Sequence, residues 1–475
     1  MKKKRAARQG RALWGGGFEV GPGEALARLS LSHPFDRRLA KADLAGSLAH
    51  ARGLSRSGLL SRADLARIEK GLRTISREIA EGRFRFADRD EDVHLNFERR
   101  LIELAGEAGQ RIHAGRSRND QVALDLRLWT IEAIDRARAG LRALAEALLD
   151  RAEEFLRERI IVAARTHLRS AQPVLFAHLF HAYAEMLTRD LARLSDARRR
   201  AAVSPLGSGA CAGTTLPLDR EAVAAELQLP EITANSLDAV SDRDFVIEFL
   251  AAGALAMVHL SRLAEDLILW TGEEFRLLGL SESTTTGSSM MPQKKNPDSL
   301  ELTRGKAGRV VGHLAGALAT VKGLPLSYNR DLQETQEPLF DSSETLDLSL
   351  AAMTEVVRGL SLRPAHERPA IDSSSLATDI AEELVQRGAP FRAAHERVAK
   401  WSRLASQTSA DLRDVGAAEA RELRPFLKSL TPESAVRRRD LPGGTAPRRV
   451  RSAIAKTRRA LKGPIHKPSP GLYRI

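Results

Sequence analysis

The sequence predicts an all-α protein built around a bundle of long helices. Ala, Leu, Arg and Glu dominate a composition in which aromatic residues make up only 4%, and such a balance is typical of packed helices rather than of sheets. Apolar residues recur at helical spacing through five long segments that contain few turn signals. A chain of 475 residues can bury a large core, and its length allows about two to four domains.

The longest of these segments extends from Val122 to about Ile160. Ile134, Leu141, Leu148 and Phe155 follow one another at steps of seven residues, and other apolar side chains fill the same face. This spacing predicts one amphipathic helix on the order of 50 Å long at roughly 1.5 Å per residue. Such a helix is longer than one small domain needs.

Four further long helices are predicted, at about Val174–Ala202, at about Phe245–Leu278, after Pro297, and at about Leu339–Leu360. Five long helices of this kind predict an elongated bundle. Beyond them the sequence indicates short helices and a tail that contains Pro and Lys.

Stretches rich in Gly, Pro, Ser and Thr separate the helices, at Ser204–Asp219, Thr284–Asp298 and Leu362–Ser375, and they are expected to be loops or linkers. We place domain boundaries near Asn119 and Arg363. The predicted domains are an N-terminal helical domain with a basic tail (1–119), a central long-helix bundle (120–362) and a small helical C-terminal domain (363–475).

The net charge of +13 is compatible with nucleic acid, an anionic membrane or a polyanionic small substrate. Most of the excess is explained by arginines on the solvated faces of helices. Nucleic-acid binding would usually add interleaved aromatics, a zinc pattern or a reading helix, and the sequence has none of these. We therefore expect no nucleic-acid partner, and binding through the basic tail remains a minor alternative.

The sole cysteine, Cys211, excludes an internal disulfide framework and a multi-thiolate metal site. The basic start of the chain lacks the apolar core of a signal peptide, and no later run is uncharged for long enough to cross a bilayer. These observations predict a cytoplasmic protein without a membrane partner.

Three polar clusters lie at the predicted helix ends. The first, "HAGRSRNDQ" (His113–Gln121), crowds two arginines, an amide and a histidine into one turn. A helix start capped by Asn119 or Asp120 explains part of it. Arg116 and Arg118 can also bind carboxylates in forked geometry, while an amide can both donate and accept hydrogen bonds.

The second cluster, "RTHLRSAQPV" (Arg165–Val174), places Thr166 and His167 before a proline-marked break. An isolated histidine is more often structural than functional. Because a new helix follows the break, however, we expect both side chains to project from a helix end that a ligand can reach.

The third cluster, "TTTGSSMMPQKKNPD" (Thr284–Asp298), is predicted to be a loop that leads into a helix at Pro297 and Asp298. The helix start and Lys294, Lys295 and Asn296 would bind anionic oxygen there. A serine acting as a base needs positive charge nearby to lower its pKa, and this loop supplies it. A Gly-x-Ser-x-Gly nucleophile turn is absent.

These clusters resemble conserved blocks of a known superfamily. "GSSMMPQKKNP" is similar to the signature of the fumarase/aspartase superfamily. "HAGRSRNDQ", "THLRSAQP", "PLGSGACAG", "NSLDAVSDRDF", "YNRDLQE" and "GGTAP" resemble blocks of one of its families, the argininosuccinate lyases. The resemblance runs from "LWGGGF" to "GGTAP", nearly the whole chain, in the order of the family.

The resemblance implies three largely helical domains and a homotetramer in which the central helices of four subunits form one bundle. It also implies active sites built from different subunits, with no metal and no organic cofactor. The implied reaction is the reversible β-elimination of argininosuccinate to L-arginine and fumarate in arginine biosynthesis, which passes through a doubly negative aci-carboxylate-like intermediate.

The resemblance assigns roles by motif position. Ser288 would abstract the proton, and Lys294 and Asn296 would hold the developing charge. His167 would take part in acid/base chemistry at the leaving nitrogen, although which group is the acid and which the base stays open. The remaining matches are Asn119 and Thr166 as substrate-binding residues, Ser32, Tyr328 and Gln333 as further substrate contacts, and His94 near the site.

This chain departs from the family pattern at one substrate position. After "YNRDLQE" the family continues "DKE", whereas this chain reads "TQE", with Gln336 in the place of a substrate-contacting lysine. Ser30, Leu31 and Ala114 are departures away from the elimination machinery. The loss of charge motivates an alternative, a related C–N lyase for another N-substituted aspartate. A non-catalytic protein that keeps the fold is disfavoured by the intact Ser288, Lys294, Asn296 and His167.

Overall fold

The computed structural model describes residues 22–462, and α-helices make up most of them. The predicted all-α class is therefore confirmed. The basic start of the chain and its Pro- and Lys-containing end lie outside the described residues. In chain order the helices are α1 Glu24–Ser30, α2 His33–Asp36, α3 Ala40–Arg56, α4 Arg62–Ala80, α5 Val93–Ala105, α6 Glu107–Gln110, α7 Arg118–Arg157, α8 Phe176–Ala201, α9 Arg220–Glu226, α10 Ser236–Ser241, α11 Asp244–Thr271, α12 Asp298–Val321, α13 Gln336–Gly359, α14 Ala377–Gln386, α15 Phe391–Thr408, α16 Leu412–Glu419, α17 Arg424–Ser429, α18 Pro432–Arg438 and α19 Pro447–Leu461.

Short strands occur only where the chain turns between helices of the described part. They are β1 Ile161–Thr166, β2 Arg169–Leu175, β3 Val203–Ser204, β4 Glu231–Ile232, β5 Leu278–Gly279, β6 Thr286–Gly287, β7 Lys295–Asn296 and β8 Ser361–Leu362. Strand β1 pairs with β2, β5 with β8 and β6 with β7, all antiparallel, while β3 and β4 pair in parallel.

The five long helices predicted from apolar spacing are α7, α8, α11, α12 and α13. Helix α11 is shorter than predicted because Gly272 follows its last residue and Leu278 belongs to a strand. Helix α7 has 40 residues, so it is about 60 Å long at roughly 1.5 Å per residue. Because the helices are this long, polar residues at opposite ends of one helix lie far apart in space.

The core of the bundle forms where α7 packs against α8, α11 and α13. Phe155 of α7 is 1% exposed and stacks on Phe176 of α8 with ring centroids 4.9 Å apart. Two more rings complete this aromatic cluster. The centroid of Phe180 lies 5.1 Å from that of Phe155, and the centroid of Trp270 lies 5.2 Å from that of Phe176. The residues predicted to line one face of α7 are thus its buried face.

Helix α11 is long and apolar enough, by length and composition, to cross a membrane. This differs from our expectation that no segment would qualify. In the described chain 61% of its most apolar window is buried inside the protein, and Phe249, Met257 and Leu260 are almost completely buried. Packing in the bundle core accounts for its composition.

A second apolar core lies near the C-terminus, between Leu376 and Ala435, where α14 to α18 pack together. Helix α19 instead packs on α7 and α8, and its Arg458 pairs with Glu153 at 2.8 Å. The predicted domain boundaries near Asn119 and Arg363 stay a prediction.

Candidate active site

A polar cavity of about 470 Å³ lies beside the start of α7, next to the turn before α5 and the segment before α13. It brings together five side chains predicted to contact substrate, together with His94. These predicted residues are Ser32, Asn119, Tyr328, Gln333 and Gln336. Sequence reasoning did not single out other residues that line it, namely Asp36, Glu91, Asp92, Glu98 and Arg330. For Glu91 and Asp92, the available sequence signal was their position as an acidic pair just before His94 in "EDVHLNFE".

The start of α7 is fixed by a capping box. Ser117, rather than Asn119 or Asp120, is the N-cap, and its backbone N–H donates to the Asp120 carboxylate at 2.8 Å. Asp120 also accepts from the backbone N–H groups of Gly207 and Gly209, at 3.0 and 2.8 Å. Asp120 thereby holds the loop before α9 against the helix start.

Gly209 has to be a glycine in this arrangement. Its φ of +61° is in the left-handed region, and a Cβ atom there would lie 2.6 Å from the carbonyl oxygen of Gly213. The same loop presents the Ala210 carbonyl oxygen to Asn119, whose Nδ2 donates to it at 3.2 Å. The loop thus orients the amide that faces the cavity.

The two arginines of this turn contact groups of the protein itself, and Arg118 also lines the cavity, so a role for them in binding substrate carboxylates stays a prediction. Arg118 lies 3.3 Å from the Asp92 carboxylate and 3.7 Å from that of Glu98. Arg116 is half-buried and donates to Ser47 Oγ at 2.9 Å. Both arginines hold the cavity wall in place.

His94 is the positive centre of this wall. Burial alone would lower its pKa, but the carboxylates of Asp125, 2.8 Å away, and Asp92 raise the pKa of His94 to about 10. Burial would raise the pKa of Asp92, yet Arg118 and His94 lower it to about 2. In contrast, burial raises the pKa of Asp36 to about 6. Near neutral pH, His94 is therefore a cation and Asp92 an anion.

In residues 22–462, one group of side chains has ligand atoms close enough to hold a metal ion together. It consists of Asp43, His94 and Asp125, whose ligand atoms all lie within 4.8 Å of one another. Gln121 Nε2 donates to Asp43, and His94 pairs with Asp125. Arg116 adds a further positive charge close by. We interpret the cluster as a buried ion-pair network that fixes His94.

Thr166 and His167 lie at a β-hairpin, not at a helix end, so that expectation was wrong. Thr166 is the last residue of β1, and His167 and Leu168 form a tight turn into β2 with φ values of +53° and +59°. Both predicted residues are exposed. His167 lines a different cavity, of about 670 Å³, together with Arg165, Trp270 and Arg368.

The segment Thr284–Asp298 is the predicted loop that leads into a helix. Strands β6 and β7 close its base by pairing Gly287 with Lys295. Ser288 Oγ accepts hydrogen bonds from the backbone N–H groups of Met290, at 3.3 Å, and Met291, at 3.1 Å. Lys294 is exposed and has no ion-pair partner within residues 22–462.

Asn296 stands at the base of this loop and donates to the Gly287 carbonyl oxygen at 3.4 Å. Neither cavity described above includes Ser288, Lys294 or Asn296. One chain therefore does not bring all the predicted residues together: they lie in three separate places on its surface.

The helical fold and its polar clusters are typical of one class, the helical lyases. A family model described as a lyase matches residues 18–312, and a second, described as the argininosuccinate lyase C-terminal region, matches residues 374–437. The chain belongs to the argininosuccinate lyase family, within the fumarase/aspartase superfamily.

Curated relatives support this assignment over nearly the full length. The chain is 49% identical over 451 residues to the argininosuccinate lyase of Thiobacillus denitrificans, covering 94% of this chain and 97% of the relative. It is 48% identical over 456 residues to the argininosuccinate lyase of Nitrosomonas europaea, covering 95% of this chain and 98% of the relative.

Solved structures share the fold. EDDS lyase in complex with formate matches with a TM-score of 0.81 and 27% identity, covering 98% of this chain and 94% of that one. A class II fumarase from Schistosoma mansoni matches with a TM-score of 0.73 and 18% identity, covering 84% of this chain and 90% of that one. The fumarase likeness concerns the fold alone.

Proposed function

We propose that the protein is an argininosuccinate lyase, which reversibly eliminates L-arginine from argininosuccinate and leaves fumarate. One observation carries the proposal: in a chain of this family, five side chains assigned to substrate from sequence line one polar cavity. Arginine biosynthesis in the cytoplasm is the corresponding cellular role that we propose.

In the proposed elimination, Ser288 removes the proton from the carbon beside a carboxylate of the succinyl half. The electron pair of that C–H bond enters the carboxylate and forms the aci-carboxylate. Its collapse forms the C=C bond of fumarate and breaks the bond to the guanidino nitrogen, which leaves with its electron pair. His167, directly or through water, supplies the proton that this nitrogen takes up.

The geometry of the Ser288 loop suits this role. The two backbone N–H groups directed at Ser288 Oγ favour its alkoxide form, because hydrogen bonds to a charged form lower the pKa of the group. Lys294 is free to pair with a carboxylate. Its positive charge would stabilise both the alkoxide and the doubly negative intermediate.

A homotetramer is the assembly that would bring the three separated clusters together. Apolar side chains are exposed along the long helices, among them Leu302, Val311 and Leu318 on α12 and Leu348 on α13. On α12 the positions Gly305, Gly308, Gly312 and Gly316 would have no neighbour within 4 Å of an added Cβ atom. A face of this kind suits close packing against helices of other subunits.

The activity is tested with purified protein and argininosuccinate. Fumarate absorbance should increase in step with free arginine, and light scattering should give the mass of four chains. A folded tetramer that releases neither product would refute the proposal.

Gln336 supports a second candidate, a C–N lyase for another N-substituted aspartate. The side chain is buried, lines the cavity, and its Oε1 has no hydrogen-bond partner among residues 22–462. EDDS lyase, a solved structure that shares the fold, is 27% identical. A panel of N-substituted aspartates separates the candidates, because kcat/KM should be highest for the natural substrate.

Restoring the family's charge provides a direct test of Gln336. If the pocket takes the amino-acid end of argininosuccinate, Gln336→Lys should lower KM for this substrate about tenfold, the effect of one charge-assisted hydrogen bond. Gln336→Leu is the control of similar size that cannot form a hydrogen bond. An unchanged KM in the lysine variant would mean that the departure is already compensated.

A further inference from the structure

The turn before α5 has a strained backbone next to the substrate cavity. Glu91 has a φ of +54° and a ψ of −59°, and the N–H of Asp92 donates to the carbonyl oxygen of Asp90 at 2.5 Å. This is a tight γ-turn centred on a residue with a side chain, a conformation that is rare and strained. Such strain persists only where surrounding contacts enforce it.

The Glu91 backbone ties this turn to the N-terminal segment. Its carbonyl oxygen accepts from the N–H groups of both Ser32 and His33, each at 3.0 Å. Asp36 strengthens the link: it accepts from Ser32 Oγ at 2.6 Å and from the N–H of Val93 at 3.1 Å. The position of Ser32 in the cavity therefore depends on the conformation of Glu91.

The Glu91 side chain ties the same turn to a third segment. Its carboxylate pairs with Arg330, which also donates to the carbonyl oxygen of Ser30 at 3.2 Å. Arg330 is 239 residues away in sequence and belongs to the 3-10 turn Arg330–Thr335 that carries Gln333 and follows Tyr328. One residue thus joins three segments that each contribute side chains to the cavity.

We propose that Glu91 and Arg330 form a clasp that positions the substrate-binding side chains Ser32, Tyr328 and Gln333. Neither residue takes part in the proposed elimination at Ser288, so both are positioning residues. The clasp holds the pocket in its binding-competent shape before substrate arrives, which lowers the cost of ordering it on binding. This inference rests on the proposed function for its kinetic test.

Two substitutions open the clasp without changing the Ser288 loop. Glu91→Gln and Arg330→Met should each raise KM for argininosuccinate about five- to tenfold, between the effects of an exposed ion pair and of a charge-assisted hydrogen bond. The value of kcat should stay within about twofold. The double variant should resemble either single one, because both remove the same interaction.

Arg330→Lys should have a KM close to that of the wild type, because lysine keeps the positive charge. Glu422→Gln is the matched control: it removes the Glu422–Arg397 pair, 3.3 Å long and partly exposed, from the C-terminal core region. This control should leave KM and kcat unchanged. Unchanged KM in both clasp variants, additive effects in the double variant, or a loss confined to kcat would overturn the inference.

The strained turn has its own test. Glu91→Gly and Glu91→Ala both remove the side chain, but only glycine adopts a positive φ without strain. The glycine variant should therefore have the higher Tm. The opposite order would show that the γ-turn is not the conformation in solution.

Hydrogen exchange separates a failed clasp from a failed function. Amides of segments 30–33 and 328–335 should exchange faster in Glu91→Gln than in Glu422→Gln, whether or not the wild type cleaves argininosuccinate. Faster exchange with an inactive wild type would refute only the proposed function. Wild-type turnover with unchanged exchange and KM would refute only the clasp.

Discussion

Ser288 and Ser289 are neighbours of the same residue type, yet the structure distinguishes them. Ser288 Oγ accepts from two backbone N–H groups, and Ser289 is simply exposed. We predict that Ser288→Ala lowers kcat by at least about a hundredfold, the smaller end of what a positioned acid or base contributes. Steady-state assays of fumarate release measure it.

The matched control for this variant is Ser289→Ala, which should retain wild-type kcat. Light scattering and circular dichroism should show the same assembly and helix content in both variants. Full activity of Ser288→Ala would move proton abstraction to another group.

His94 gives the protein a predictable dependence of stability on pH. Its pKa is raised from 6.5 to about 10 in the folded state, mainly by Asp125 and Asp92 acting against burial. A raised histidine pKa contributes stability that is complete below about pH 6.5 and is lost as the pH rises through about 10. The stabilising contribution of His94 should thus decrease over this window.

The measurement is Tm as a function of pH for the wild type and for His94→Gln. The variant should be less stable near pH 7, where the buried Asp125 loses its cationic partner. The difference in Tm should shrink steadily towards pH 10. A difference that stays constant would mean that His94 is neutral in the folded protein.

At the scale of single elements, the β1–β2 hairpin carries a strained turn that can be relieved. Leu168 has a φ of +59° and is 63% exposed, so its side chain contributes little packing. Leu168→Gly should stabilise the protein by about 1 kcal/mol, because glycine adopts this conformation without steric cost. Thermal unfolding should show a small increase in Tm.

Leu326 provides the comparison for that substitution. It is 77% exposed but is not among the residues with positive φ. Leu326→Gly should therefore leave Tm unchanged or lower it, since glycine there only adds freedom to the unfolded chain. Equal increases in the two variants would contradict the strain argument.

The same hairpin shows where reasoning from the sequence reaches its limit. The long helices were predictable because their apolar spacing is repeated over many turns, as in the buried face of α7 around Leu141 and Phe155. The hairpin has strands of only six and seven residues, and its turn uses His167 and Leu168 rather than the Asn-Gly pair that usually announces one. Such a short element produces a weak signal.

The candidate site was predictable to a similar, partial extent. Motif resemblance identified Ser32, Asn119, Tyr328 and Gln333, which the fold places around one cavity. The only sequence signal for Glu91 was its place in the acidic pair beside His94, whereas its positive φ and its contacts with residues distant in sequence were not predictable. Backbone strain and long-range pairs emerge only from the folded chain.

At the scale of the whole molecule, the separation of the clusters makes a prediction about mixed assemblies. Ser288 and His167 lie in different places on one chain and share no described cavity. If each active site takes them from different subunits, an inactive Ser288→Ala chain and an inactive His167→Asn chain can form intact sites together. In a randomly mixed 1:1 tetramer, about a quarter of the sites should contain both wild-type residues.

The experiment is to unfold the two variants together, refold them, and compare fumarate release with that of each variant refolded alone. Recovery of about a quarter of wild-type activity is expected only if Ser288 and His167 of one site belong to different chains. A mixture of Ser288→Ala with Lys294→Ala is the control. These residues share one loop, so in any assembly a site that receives the loop from either variant lacks one of them. Activity in this control, or none in the first mixture despite tetramer formation, would contradict a site shared between subunits.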